Sequence, residues 1–177
     1  MTALSHAQRL ALLPELRRLA LEAGAEIMRH YDTNIAVERK EDRSPVTAAD
    51  RAAEALILPD LRKLIPGVPI VAEEEASAGR VPKVGSGSFW LVDPLDGTTN
   101  FLHGIPHFSI SIALERDSEL FAGVVYEPVY DQMYWAEKGQ GAYLNDNRIR
   151  VSGRSSMDEA LFATGIPFKG ARDHPLF

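Results

Sequence analysis

The chain has 177 residues, a formal net charge of −6 and no cysteine, and 45% of its residues are hydrophobic. The absence of cysteine excludes disulfides, a thiol nucleophile, cysteine-ligated zinc and iron–sulfur clusters. The negative net charge argues against nucleic acid as a partner, because phosphate contacts require clustered Lys and Arg. No apolar run approaches the ~20 residues of a membrane span and no signal-peptide pattern opens the chain, so we predict a soluble, cytoplasmic protein without membrane contact.

Two helices are predicted in the first part of the chain. Residues 5–31 place apolar side chains at steps of three and four, which is the spacing of one buried helical face. The polar segment 34–45 is predicted to be a loop. The second helix opens with Thr47 and Asp50, whose T-x-x-D spacing is a capping signal, and it is expected to kink or split at Pro59.

After the second helix the apolar period changes to two, which is typical of strands. The pattern is clearest where Phe108, Ile110 and Ile112 alternate with small residues, and a hairpin turn is predicted at 145–147. The predicted strands are 70–72, 89–92, 107–114, 120–127, 132–136, 141–144, 148–151 and 160–164, with a loop at 76–87. Two helices followed by adjacent strands indicate an α+β fold, with an antiparallel sheet covered on one face.

The other face of this sheet has no predicted layer. We therefore expect a large exposed apolar patch there. The last residues, 174–177, resemble neither a terminal helix nor a polar tail, and we expect the sequence to be incomplete.

The densest group of functional residue types is the string DPLDGTTNF, from Asp93 to Phe101. A strand brings Asp93 to its carboxyl end, Gly97 permits a tight turn, and Thr98 can open a helix whose free N–H groups attract an anion. With Asp96, two carboxylates then lie beside an anion-binding helix start, which suits a divalent cation that bridges protein and phosphate. The first five residues alone fit an ordinary turn equally well.

Three acidic residues, Glu73 to Glu75, follow the predicted strand 70–72. Such a run is usually a solvated loop. If this strand lies beside the one that ends at Asp93, however, the carboxylates of Glu73 and Asp93 converge and raise each other's pKa unless a cation neutralises them. Two or more Mg²⁺ ions would do so.

Asp50 has two interpretations that can both hold. It can be the capping partner of Thr47, or it can orient Thr98 or a metal-bound water. Lys40, in the polar loop, would ordinarily be a surface lysine.

These motifs resemble the inositol monophosphatase family of Mg²⁺-dependent, lithium-sensitive sugar-phosphate phosphatases. The resemblance covers essentially the whole chain and rests on Lys40, PVTAAD at 45–50, AEE at 72–74, DPLDGTTNF at 93–101 and GQGAYLN at 139–145. It implies the layered αβαβα sugar-phosphatase fold, of which the chain would hold mainly the N-terminal helix pair and the antiparallel sheet. Residues 1–152 would form the metal- and phosphate-binding domain, and residues 153–177 would begin a second, incomplete α/β domain.

The resemblance also implies a set of metal ligands. Glu73, Asp93 and the Leu95 carbonyl would hold a first Mg²⁺, and Asp93 and Asp96 a second. Lys40 would lie in a mobile loop that helps to close over a third ion. Mn²⁺ is an alternative to Mg²⁺.

Catalytic and substrate-binding roles are implied in the same way. Thr98, with Glu73 nearby, would position the nucleophilic water, and Asp50 would support Thr98. The backbone N–H groups of Gly97 and Thr98 would bind the phosphate, with Asp96 beside the substrate.

The sequence departs from the family pattern in three places. Ala72 stands where glycine is usual, and Glu75 often corresponds to a serine. The family's Trp-Asp-x-Ala-Ala-Gly motif, whose aspartate completes the second metal site, is absent from this sequence.

The function implied is hydrolysis of inositol monophosphate or a related sugar phosphate by a metal-activated water, in a homodimer. Two alternatives stay open. One is a truncated, non-catalytic chain that acts as a binding or regulatory protein. The other is a phosphatase of histidinol phosphate, fructose 1,6-bisphosphate or 3′-phosphoadenosine nucleotides.

Overall fold

The computed structural model describes residues 5–31, 37–39, 45–85 and 87–162. Lys40, the side chains of 45–46 and residues 163–177 therefore lie outside the description, together with the predictions made for them. None of the described helices is both long and apolar enough to cross a membrane.

Two long helices and a seven-stranded sheet form the architecture. The helices are α1 (His6–Tyr31) and α2 (Ala48–Leu64), with a short antiparallel ribbon, β1 (Val37–Arg39) and β2 (Pro45–Thr47), between them. The sheet strands are β3 (Ile70–Ala72), β4 (Phe89–Asp96), β5 (Ser109–Arg116), β6 (Glu119–Glu127), β7 (Gln132–Glu137), β8 (Gly141–Leu144) and β9 (Asn147–Ile149). Two short helices, α3 (Glu73–Ser77) and α4 (Thr98–Leu102), directly follow β3 and, after one residue, β4.

The strands lie in the sheet in chain order. β3 and β4 pair in parallel, whereas every later neighbour pairs antiparallel. The α+β fold predicted from the sequence is confirmed, and the sheet is mixed rather than purely antiparallel. A parallel pair brings the carboxyl ends of two strands to one edge, and this places β3 and β4 for the site.

The hydrophobic core lies between the two helices and one face of the sheet. The predicted stripe of α1 is buried, as are the inward side chains of β5, Ile110, Ile112 and Leu114, which alternate with half-buried residues. Pro59 does not end α2, because the neighbouring Leu58 and Leu61 are buried in the core and hold the helix through tertiary packing.

Three local predictions were wrong. The segment 34–45, predicted to be a loop, contains the strand β1 at Val37–Arg39, which pairs with β2. The segment predicted to be a loop after 75 begins as helix, since α3 runs to Ser77. Residues 160–162, predicted as part of a strand, follow a 3₁₀ turn at Met157–Glu159 and form no strand. Leu161 and Phe162 are exposed there, so the apolar pattern has no sheet edge to join among the described residues.

The second face of the sheet is apolar and open. The register aligns one row of mostly small side chains across all seven strands, namely Val71, Leu91, Ala113, Gly123, Ala136, Ala142 and Ile149. This face forms a groove of about 900 Å³ whose edge reaches Glu73 and Asp93. The exposed apolar patch expected from the sequence is therefore present in the described part of the chain.

Gly24 marks the closest approach of α1 to the sheet. A Cβ atom at this position would lie 2.6 Å from Cε1 of Tyr126. The Tyr126 ring is buried and its hydroxyl donates to Asp131 at 3.0 Å, so it has little freedom to move.

We predict that Gly24→Ala destabilises the protein although alanine favours helices. The helix gains about 1 kcal/mol from the residue type, but overpacking against Tyr126 costs about 1–3 kcal/mol, so the free energy of unfolding in urea should fall. Gly153→Ala is the matched control, because a Cβ there meets no atom within 4 Å. An unchanged or higher stability of Gly24→Ala would contradict this packing.

Candidate active site

The parallel pairing of β3 and β4 brings two acidic residues together. Ala72 lies opposite Val92 in the register, so the chain leaves both strands side by side, at Glu73 and Asp93. Their carboxyl groups lie close enough for the charge of Glu73 to raise the pKa of Asp93. The condition set by the sequence, that these two strands be neighbours, is met.

A bulge in β4 brings Asp96 to the same face as Asp93. The pairing with β5 shifts from Asp93 opposite Ser111 to Asp96 opposite Ser109, so two residues of β4 face one of β5. Pro94, one of the two, has no N–H for the ladder. Residues three apart would normally point to opposite faces of a strand, and the extra residue reverses this for the two aspartates.

The surroundings of Asp93 disfavour its charged form. Burial raises the pKa of Asp93 to about 7, and the charges of Glu73 and Asp96 add to the rise. The Leu95 N–H, which donates to Asp93 at 3.1 Å, opposes it. A cation bound between these carboxylates would relieve the repulsion.

Asp50 links the start of α2 to the start of α4. Its Oδ2 accepts the backbone N–H of Thr47 at 2.7 Å and the Thr47 hydroxyl at 2.6 Å, which confirms the predicted capping box. Its Oδ1 accepts the Thr98 hydroxyl at 3.1 Å. Burial raises the pKa of Asp50, and the hydrogen bonds from Thr47 and Thr98 oppose this. The capping contact and the Thr98 contact are therefore both present.

Thr98 lies between two acceptors. Its hydroxyl is 3.1 Å from Asp50 Oδ1 and 3.1 Å from the Leu95 carbonyl oxygen, and its single proton can go to only one of them at a time. Gly97 before it has φ of +94°, and a Cβ there would lie 3.1 Å from the His107 carbonyl oxygen. Glycine is therefore required at this turn for both conformation and space.

Sequence reasoning missed one buried carboxylate, that of Glu54. It lies on α2, one turn after Asp50, and is only 7% exposed. Its Oε2 accepts the backbone N–H of Glu74 at 3.0 Å. Burial raises the pKa of Glu54, and the N–H of Glu74 opposes the rise. The signal in the sequence was an acidic residue four positions after another on the apolar side of a helix.

The donor chemistry fits Mg²⁺ or Mn²⁺. Within the described ranges, no three His, Asp or Glu side chains are grouped closely enough to enclose an ion alone. The pair of Glu73 and Asp93, with the Leu95 carbonyl nearby in sequence, offers oxygen donors only. Mg²⁺ is commonly held by one or two carboxylates, with waters and substrate phosphate completing its shell. The small number of protein ligands is therefore compatible with this ion.

Comparison with known proteins decides the family. The sequence model of the inositol monophosphatase family matches residues 11–176. The chain belongs to the inositol monophosphatase family. It is 43% identical to the inositol-1-monophosphatase of Mesorhizobium japonicum over 171 residues, which is 96% of this chain and 63% of that protein.

Two further comparisons show how much of its relatives this chain covers. It is 44% identical over 156 residues to the Nus factor SuhB of Pseudomonas aeruginosa, which covers 86% of this chain and 56% of that protein. Its structure superposes on the IMPase of Thermotoga maritima with a TM-score of 0.72 at 38% identity, over 81% of this chain and 55% of that chain. The chain thus spans less than two thirds of the length of these relatives.

Proposed function

We propose that the protein hydrolyses a phosphate monoester of inositol or a related sugar, using water activated beside a divalent cation. The observation that carries this proposal is the meeting of Glu73 and Asp93 at the ends of two parallel strands, together with the Thr98–Asp50 hydrogen bond at the start of the following helix. The relative named inositol-1-monophosphatase supports the substrate class.

The proposed metal ligands are those that the family resemblance implies. Glu73, Asp93 and the Leu95 carbonyl would hold one ion, and Asp93 with Asp96 would hold another. The common face of the two aspartates supports the second set. When bound, Mg²⁺ or Mn²⁺ lowers the pKa of its water ligand and places positive charge beside the phosphoryl group. Lys40 would belong to a loop near a third ion.

The chain's own residues would orient the attacking water. When the Thr98 hydroxyl donates to Asp50, its lone pairs are free to accept a hydrogen bond from water, with Glu73 close by. Asp50 accepts from Thr47 through its other oxygen, so its position is fixed. The backbone N–H groups of Gly97 and Thr98 would bind the phosphate oxygens, with Asp96 beside the substrate.

We predict that Asp50→Asn lowers kcat by about a hundredfold with little change in KM. The asparagine oxygen can still accept from Thr47, but its NH₂ group would face Thr98 and donate, so the Thr98 hydroxyl would turn towards Leu95. Steady-state phosphate release measures the effect, and Thr98→Ser, which keeps the hydroxyl, should retain most activity. An Asp50→Asn protein with wild-type kcat would contradict this orientation.

A substrate panel tests the proposed function. Mg²⁺-dependent phosphate release is measured on inositol monophosphate, histidinol phosphate, fructose 1,6-bisphosphate and a 3′-phosphoadenosine nucleotide, with and without Li⁺. We expect inositol monophosphate to be preferred and Li⁺ to inhibit. Equal rates on inositol and nucleotide phosphates would contradict the substrate preference.

A second candidate function is regulatory binding without useful turnover. It is favoured by the relative named Nus factor SuhB, which is 44% identical to this chain over 156 residues. Mg²⁺-dependent release far below that of an intact phosphatase would favour it. The homodimer, the cytoplasmic location and the domain boundary at residue 152 remain predictions.

A further inference from the structure

The helix α2 carries two buried carboxylates one turn apart. Asp50 and Glu54 are four residues apart and therefore lie on the same face of the helix. Asp50 binds the hydroxyl of Thr98, the first residue of α4. Glu54 binds the backbone N–H of Glu74, the second residue of α3. One rigid helix thus contacts the starts of both short helices that bear the candidate active-site residues.

The start of α3 has no cap of its own. Ala72 occupies the N-cap position and makes no side-chain capping bond, although the first N–H groups of a helix need acceptors. A helix of five residues is also too short to be stable without tertiary contacts. Glu54 supplies from α2 the acceptor that the local sequence lacks.

The carboxylate of Glu54 is held at a site that otherwise disfavours it. It is almost fully buried, and the neighbouring Glu74 and Glu75 carry like charge. An apolar side chain would fill the same position without these costs. The contact that compensates is its hydrogen bonding to the first turn of α3, which begins at the candidate ligand Glu73.

We propose that Glu54 is a positioning residue for the metal site. By accepting the N–H of Glu74, it fixes the backbone on which Glu73 is mounted, so that the carboxyl of Glu73 stays directed at Asp93. Asp50 fixes Thr98 in the same way, and α2 thereby sets the separation of the two groups. This inference rests on the proposed function.

Two conservative substitutions separate the acceptor from the charge. Glu54→Gln keeps an oxygen acceptor on a side chain of the same length and removes the charge. Glu54→Asp keeps the charge on a side chain that is one methylene shorter, so the acceptor no longer reaches the N–H of Glu74. Mn²⁺ is titrated calorimetrically into the metal-free protein at fixed pH, and the melting temperature of each variant is recorded. Glu159→Asp, at an exposed position, is the matched control.

We expect Glu54→Asp to weaken Mn²⁺ binding by about tenfold or more, which is the effect usual for residues that orient metal ligands. Glu54→Gln should stay within about threefold of wild type, and the control should not change. Wild-type Mn²⁺ affinity in Glu54→Asp would overturn the positioning role of Glu54 and leave the proposed function standing. The same holds if Glu54→Gln binds Mn²⁺ more weakly than Glu54→Asp. A lowered melting temperature with unchanged affinity would likewise assign Glu54 to folding only. A wild-type protein that binds no Mn²⁺ would instead overturn the proposed function, and this inference with it.

Discussion

Asp93→Asn is expected to lower Mg²⁺-dependent phosphate release by about a thousandfold or more, which corresponds to about 4 kcal/mol of transition-state stabilisation. Asp93 is the one side chain common to both proposed metal sites. An asparagine amide is a far weaker metal ligand than a carboxylate.

The measurement is steady-state phosphate release at saturating Mg²⁺. Asp158→Asn, which neutralises an exposed carboxylate on the 3₁₀ turn, controls for the change in net charge and should behave as wild type. Retained turnover in Asp93→Asn would refute the metal assignment.

The metal-free protein is expected to lose stability as the pH rises from about 4 to about 7. The folded pKa of Asp93 is about 7, above the ordinary value of 3.8. Between these two values the folded state holds a proton that the unfolded state has released, so raising the pH favours unfolding. A pKa rise of this size corresponds to an upper limit on the order of 4 kcal/mol in the free energy of unfolding.

Urea unfolding in a chelator at pH 5 and pH 8 measures this loss. Asp50 and Glu54 also have raised pKa values and contribute in the same direction, so the comparison with Asp93→Asn isolates the acidic pair. The Asn variant should show a smaller loss and should be the more stable protein at pH 8 without metal, although it is the inactive one. Equal pH dependence in the two proteins would contradict the repulsion between the carboxyls.

Local patterns in the sequence predicted correctly those elements that depend on residues close together in the chain. The apolar stripe of α1, the alternation in β5 and the capping box of Thr47 and Asp50 each depend on residues close in sequence, and the structure confirms them. The neighbourhood of Glu73 and Asp93 needed one further assumption, the pairing of β3 with β4, which holds.

The remaining features depend on tertiary contacts that no short pattern records. Pro59 is tolerated because α2 is packed against the core. The helix α3 extends to Ser77, into the predicted loop 76–87, and its start accepts support from Glu54 on another helix. Within the strand predicted at 160–164, the described residues 160–162 form no strand, because their apolar side chains have no neighbouring strand among the described residues. Glu54 itself was missed because burial, not residue type, distinguishes it from a surface acid.

The proposed metal site is tested most directly by anomalous diffraction from crystals of the protein grown with Mn²⁺. We expect an ion bound by carboxylate oxygens of both Glu73 and Asp93, at roughly the 2.0–2.3 Å expected for a hard divalent cation with oxygen ligands. An ion held elsewhere, or a hydrogen-bonded pair of carboxyls with no ion at saturating Mn²⁺, would contradict it.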